Sequence, residues 1–145
     1  MSTICRFRNP SPIQYLKVAN DLTSHTSFYL DRMPKSTKFT RQIKLNNLVQ
    51  DTFLILNKAN VLRNFKTIEE YERRKGYFKS ALENLFAFEC FLSVLAQNDN
   101  YYKLISQGSS YAWEHWGELL DTERKLIYGI LEKDKEKKST LGLDI

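Results

Sequence analysis

The chain has 145 residues, of which 42% are hydrophobic, 13% aromatic and 27% charged; this is enough apolar material for one core, fits one domain, and argues against disorder. The formal charge of +5 is unevenly spread, with 15 Lys and Arg against 6 Asp and Glu in residues 1–79, and 7 against 11 in residues 80–145. A basic first half fits an anionic partner, nucleic acid or an acidic membrane surface, although such a run is more often only a solvated face.

Residues 1–11 carry Arg6 and Arg8 without a hydrophobic period and read as a flexible basic arm. Ser11 followed by Pro12 is a helix start, because Ser caps free amides and Pro is pre-set for the first helical position. The first helix is predicted to run to about residue 32, with Ile13, Leu16, Ala19, Leu22 and Thr26 inward, helped by Tyr15, Tyr29 and Leu30, and to stop at Met33-Pro34. His25 lies beside that stripe with no second His or Cys at ligand spacing, so a partly buried or surface histidine is expected rather than a metal ligand. The second helix is predicted over 37–62, with Leu45, Leu48, Val49, Thr52, Leu56 and Ala59 as its core face. Lys35, Lys38, Arg41 and Lys44 mark its start at a spacing of three, a flank that suits a phosphate backbone and opposes the helix dipole.

Thr67-Ile68-Glu69-Glu70 has the form of a capping box and opens a third helix reaching about residue 97. That helix begins basic and aromatic, with Tyr71, Arg73, Arg74, Lys75, Tyr77 and Lys79, and continues as FKSALENLFAFECFLSVLA. Ala81, Leu82, Leu85, Phe88, Leu92 and Leu95 share one face, whereas Phe86, Phe91 and Val94 fall outside it, together with Ala87 and Cys90. A short chain cannot cover both sides of such a helix, so Phe86, Phe91 and Val94 are the expected oligomer interface. Asn98-Asp99-Asn100 breaks the run. Ser106 is the first choice as cap of the last helix, with Ser109 or Ser110 as alternatives, and Trp113, Trp116, Leu120, Ile127, Ile130 and Leu131 form a stripe interrupted by Glu123. Residues 134–145 read as a mobile tail. Four amphipathic helices over 12–133 with short connections predict an all-α, antiparallel up-down-up-down four-helix bundle.

No glycine-rich phosphate loop, CxxC pair, HExxH or GxSxG motif occurs, and Glu89, Glu114-His115 and Glu123 offer too few inward ligands for a di-metal bundle site. Cys90 in an apolar helix reads as inert packing. A non-catalytic protein without cofactor or metal is therefore expected. With Cys5 and Cys90 outside any disulfide framework, no apolar leader and no run long enough to span a bilayer, a cytoplasmic location without membrane contact is expected.

The run YLDRMPKSTKFTRQIKLNNLVQDTFLILNKAN, followed by YERRKGYFKSALENLFAFECFLSVLAQ and ISQGSSYAWEHWGELLDTERKLIYGIL, resembles the accessory variability determinant proteins of diversity-generating retroelements. These group with the four-helix-bundle proteins encoded in ribosomal RNA intervening sequences. The resemblance covers roughly residues 15–132 and rests on the MPKS turn with its basic second helix, the long third helix and the LIS start of the fourth. It implies a pentameric ring that binds RNA or DNA without catalysis and associates with a retroelement reverse transcriptase during mutagenic copying of a template RNA. The acidic Glu114, Glu118, Asp121 and Glu123 and the longer N-terminal arm depart from that pattern. The alternative is an intervening-sequence-type protein acting as an oligomeric scaffold.

For nucleic acid the sequence offers two basic clusters, Lys35, Lys38, Arg41 and Lys44 in one, and Arg63, Lys66, Arg73, Arg74, Lys75 and Lys79 in the other. An antiparallel arrangement puts them at opposite ends of a subunit. Arg73, Arg74 and Lys79 rank first because they concentrate charge on one helical segment; Tyr71 and Tyr77 beside them are candidates for core packing first and base stacking second.

Overall fold

Spacings of three and four between apolar residues produce helix throughout. The structure, a computed structural model, describes residues 13–33 and 40–143. Among these residues the protein is all-α, with α1 (Gln14–Leu30), α2 (Thr40–Val61), α3 (Ile68–Ala96), α4 (Asp99–Ser106) and α5 (Tyr111–Thr140). The expected arm, the Ser11-Pro12 start, Lys35 and Lys38 lie outside the described residues, as does the side chain of Arg41.

In α1 the buried stripe is Tyr15, Val18, Ala19, Leu22, Thr26 and Leu30. The expected Ile13 is instead 51% exposed. Tyr15 takes the inward position because its hydroxyl donates to Asn60 Oδ1 at 3.1 Å while its ring meets Phe78 edge-on at 5.5 Å. Leu45, Leu48, Val49, Thr52, Leu56 and Ala59 of α2 are all buried, as their spacing predicts.

The capping box of α3 is formed. Thr67 Oγ1 accepts from the Glu70 amide at 3.2 Å, and Glu70 Oε1 accepts from the amides of Lys66 at 3.1 Å and Thr67 at 3.3 Å. The Lys66 amide, then the Thr67 hydroxyl, hold the Glu70 carboxyl below its usual pKa. Thr67→Ala is expected to cost about 1 kcal/mol of stability, measurable by urea denaturation. Beyond the cap, α3 buries Tyr71, Arg74, Phe78, Ala81, Leu85, Phe88, Leu92 and Leu95, with Leu82 partly buried against the same core.

Two segments depart from expectation. Asn98-Asp99-Asn100 ends α3 but also starts a further helix, α4, because Asn98 Oδ1 accepts from the amides of Asn100 at 3.1 Å and Tyr101 at 3.2 Å. Gln107 and Gly108 close α4 with φ of 47° and 82°. The last helix therefore begins only at Tyr111, with Ser110 at the cap position; Ser106, the first choice, instead accepts from Trp113 Nε1 at 2.9 Å.

The second departure is at the C-terminus, where residues 134–140 continue α5 in place of the expected tail. Asp134 lies two helical turns beyond the buried Ile127 on the same face, and a 2.6 Å ion pair with Arg74 Nε fixes it there.

All five helices reach the core, α4 through Ile105. The start of α1 touches the end of α2 through Tyr15 and Asn60, and the start of α3 reaches the end of α5 through Arg74 and Asp134. Elsewhere Ser27 reaches Asn46 at 3.4 Å, and Trp116 Nε1 of α5 donates to Thr26 Oγ1 of α1 at 3.0 Å. Trp116, Phe78, Phe88 and Leu22 are among the largest fully buried side chains. Glu123 is also fully buried, and neither carboxyl oxygen has a hydrogen-bond partner among the described residues. Among the described residues no helix is long and apolar enough to cross a membrane.

Candidate nucleic-acid interface

The connection between α2 and α3 gathers cations from three parts of the chain. Arg63, Lys66, Arg73 and Lys79 are exposed and Lys75 is half-buried. The far end of α5 adds Lys137, whose Nζ donates to the Arg63 carbonyl at 3.1 Å and lies 4.1 Å from the centre of the Phe65 ring. Lys138 and Lys75 approach the Tyr71 ring at 5.1 and 5.9 Å. Phe65 and Tyr71 are themselves buried and 5.4 Å apart, so they form an apolar floor with an attractive π-face beneath the lysines. Glu69, Glu70 and Glu72 share this end, and Glu70 is engaged by the capping amides.

Arg74 does not belong to this surface, although it ranks among the first sequence candidates. Its residue is 6% exposed, its Nε pairs with Asp134, and its Nη1 donates to the Ala59 carbonyl at 2.8 Å. The guanidinium thus ties α3 to α2 and α5, and its charge is neutralised inside. Tyr71 likewise packs in the core, and the half-buried Tyr77 packs against it. Lys137 and Lys138 were not foreseen, because a segment read as a tail has no place in space.

Lys44 of the first cluster is exposed at the start of α2, far along that helix from Arg63. Of the first cluster, only the Lys44 side chain lies among the described residues, and it is not part of the surface at the α2–α3 connection.

The end of the molecule bearing α4 holds a feature that sequence reasoning missed. A continuous chain of rings runs from Phe28 through Tyr29 and His25 to Tyr111, His115 and Trp116, then through Trp113 to Tyr102. His25 Nε2 donates to the Ala112 carbonyl at 2.9 Å, and burial, partly opposed by that bond, lowers the pKa of the imidazole. Tyr102 lies parallel to Trp113 at 5.2 Å, and Tyr111 lies nearly parallel to His115 at 5.3 Å. Concavities of about 510 and 330 Å³ flank α4. These rings come from sequence-distant segments, and of them the hydrophobic pattern marks Tyr29, Trp113 and Trp116.

On the outer side of α3, Phe86 is 65% and Val94 40% exposed, with the exposed Cys90 between them. Cys90 is therefore not packed, contrary to the sequence reading. Phe91 is half-buried against the protein's own core, so the outward stripe is Phe86, Cys90 and Val94, one turn apart.

No protein-family model, no curated protein and no solved structure matches this chain.

Proposed function

We propose that the protein is a non-catalytic, nucleic-acid-binding accessory subunit that works with a retroelement reverse transcriptase on its template RNA. The observation that carries the binding role is the gathering of Lys75, Lys137 and Lys138 over Phe65 and Tyr71 beside Arg63 and Lys66 at the α2–α3 connection, with the exposed Arg73 and Lys79 further along α3. Three chain segments supply these side chains, and they outnumber Glu69, Glu70 and Glu72. A lysine or arginine array of this kind binds phosphates by displacing counterions and reads no bases directly. The polymerase partner rests on the sequence resemblance alone; co-purification with a reverse transcriptase encoded nearby tests it, and no recovery at low salt with both proteins folded counts against it.

The contacts between the start of α1 and the end of α2, and between the start of α3 and the end of α5, support an antiparallel up-down-up-down bundle of the four long helices. The Phe86, Cys90 and Val94 stripe, with Phe91 at its edge, supports assembly through the outer side of α3, with a pentameric ring as the form the resemblance implies. In such a ring the basic ends repeat around the axis as a band that a flexible strand follows. Phe86→Asp with Val94→Asp is expected to reduce the particle to a monomer in light scattering, with helicity retained. A wild-type monomer at micromolar concentration overturns the assembly.

The binding role is tested by changing Arg73, Lys75, Lys79, Lys137 and Lys138 to Gln. RNA and DNA affinity are expected to fall together, by roughly tenfold or more at moderate salt, with a flatter dependence on salt. Unchanged affinity removes this surface as the binding site. The same outward apolar stripe favours a second reading, an intervening-sequence-type oligomeric scaffold whose cations only keep it soluble; that reading predicts assembly without salt-sensitive nucleic-acid binding.

A further inference from the structure

The sequence places no second ligand near His25, but the fold brings one from another helix. His25 of α1 and His115 of α5 have ring centres 4.8 Å apart and planes at 76°, so the two rings do not stack. Each ring has one nitrogen committed to an oxygen. His25 Nε2 donates to the Ala112 carbonyl at 2.9 Å, and His115 Nδ1 donates to Glu118 Oε2 at a longer 3.5 Å. A carbonyl and a carboxylate only accept, so these nitrogens carry the protons and leave His25 Nδ1 and His115 Nε2 with lone pairs. Among the described residues neither lone pair accepts a hydrogen bond. Metal-binding imidazoles have this same arrangement, in which the outer N–H goes to a carbonyl or carboxylate and fixes tautomer and ring orientation. Two rings that share one ion through bonds of about 2 Å at a near-tetrahedral angle have centres about 5 Å apart. The pair is also held on fixed backbone, because Trp116 Nε1 donates to Thr26 Oγ1 at 3.0 Å one residue along from each histidine.

From this arrangement we infer that His25 and His115 form a binding site for a divalent transition-metal ion of the Zn²⁺, Ni²⁺ and Cu²⁺ class, which clamps α1 to the first turns of α5. Imidazole nitrogen selects that class, whereas Mg²⁺ and Ca²⁺ take oxygen ligands. Among the described residues no three His, Cys, Asp or Glu side chains gather as a metal site, so the protein supplies two ligands and water completes the shell. Such a site holds its ion less tightly than a closed four-ligand one. The ion reaches it from solvent past the His115 side chain, which is 31% exposed, while His25 is half-buried between the helices. The site is independent of the basic surface, since Lys137 and Lys138 stand at the opposite end of α5. Its effect is to steady the end of the molecule that carries α4.

The test adds Zn²⁺, Cu²⁺ or Mg²⁺ alone to the full chain after treatment with a chelator. Isothermal titration is expected to find one Zn²⁺ per chain with a Kd on the order of 10–100 µM. Saturating Zn²⁺ is expected to raise the melting temperature by roughly 3 °C or more. Cu²⁺ is expected to bind more tightly and to quench Trp116, whose ring centre is 4.9 Å from that of His25. His115→Phe keeps a ring against Tyr111 but removes both nitrogens; it is expected to weaken Zn²⁺ binding by roughly tenfold or more and to abolish the melting shift, with circular dichroism unchanged. His25→Gln is expected to do the same, and His115→Phe alone decides the matter where that variant does not fold. No Zn²⁺ or Cu²⁺ binding at concentrations up to about 1 mM overturns the site. Equal binding and an equal melting shift in folded His115→Phe also overturn it, and place the ion elsewhere, for instance on the exposed Cys90 thiol. A Mg²⁺ shift as large as that of Zn²⁺ overturns it as well, because a hard cation does not choose imidazole.

Discussion

Asp134→Ala is expected to destabilise the protein by about 3–5 kcal/mol, because it leaves the Arg74 guanidinium buried without its counter-ion. The two side chains are 7% and 11% exposed and meet at 2.6 Å. Coulombic attraction there is weakly screened, and neither group has bulk water to fall back on. Arg74→Met is expected to cost a similar amount by stranding the carboxylate. The double variant Arg74→Met with Asp134→Leu removes both charges and is expected to recover most of the loss, since a buried ion pair and an apolar pair of similar volume often differ little in stability. Urea denaturation of the four proteins measures the cycle. Single variants that each lose less than about 1 kcal/mol place the pair in solvent instead. The double variant is also expected to retain nucleic-acid affinity, in contrast to the surface lysines.

Glu123→Leu is expected to stabilise the protein at neutral pH, the reverse of the usual result for a core substitution. Burial first, and the charge of Asp21 second, push the Glu123 carboxyl up to about 9. In the unfolded chain the same group titrates near its ordinary value of 4.5. Its contribution is therefore most favourable below the unfolded value. Between roughly 4.5 and 9 the native protein holds a proton that the unfolded chain has released, and stability falls as pH rises. With about 1.4 kcal/mol per unit, the penalty reaches about 3 kcal/mol at pH 7. Its two oxygens lack partners among the described residues, which adds a desolvation cost even in the neutral form. Chemical denaturation from pH 5 to 8 is expected to show a falling wild-type stability and, with Glu123→Leu, a higher and flatter one. Parallel curves for the two proteins contradict the assignment.

Both of these buried charges were legible in the spacing but not in the chemistry. Tyr71, Arg74, Phe78, Ala81, Leu85, Phe88, Leu92 and Leu95 follow one another at three or four residues, which places Arg74 on the core stripe. Beside Arg73 and Lys75, however, it reads as one more surface cation. Asp134 is similarly in phase with Leu120, Glu123 and Ile127, yet it sits in a run of alternating charges that reads as frayed. Each is inward only because the other neutralises it, and a pairing across 60 positions is invisible to a local pattern. The interior of α2 and the Thr67 capping box were readable because a helix face and a three-residue reciprocal cap are local. The ring chain at the α4 end was not, since α1, α4 and α5 each contribute only a part.

The most direct measurement is the affinity of the full chain for a labelled single-stranded RNA across a salt series. The nucleic-acid role predicts that log affinity falls linearly with log salt, with a slope near −0.7 for each phosphate neutralised. The Gln variant of Arg73, Lys75, Lys79, Lys137 and Lys138 is expected to have a visibly shallower slope. No binding at low salt, or an affinity that does not change with salt, would contradict it.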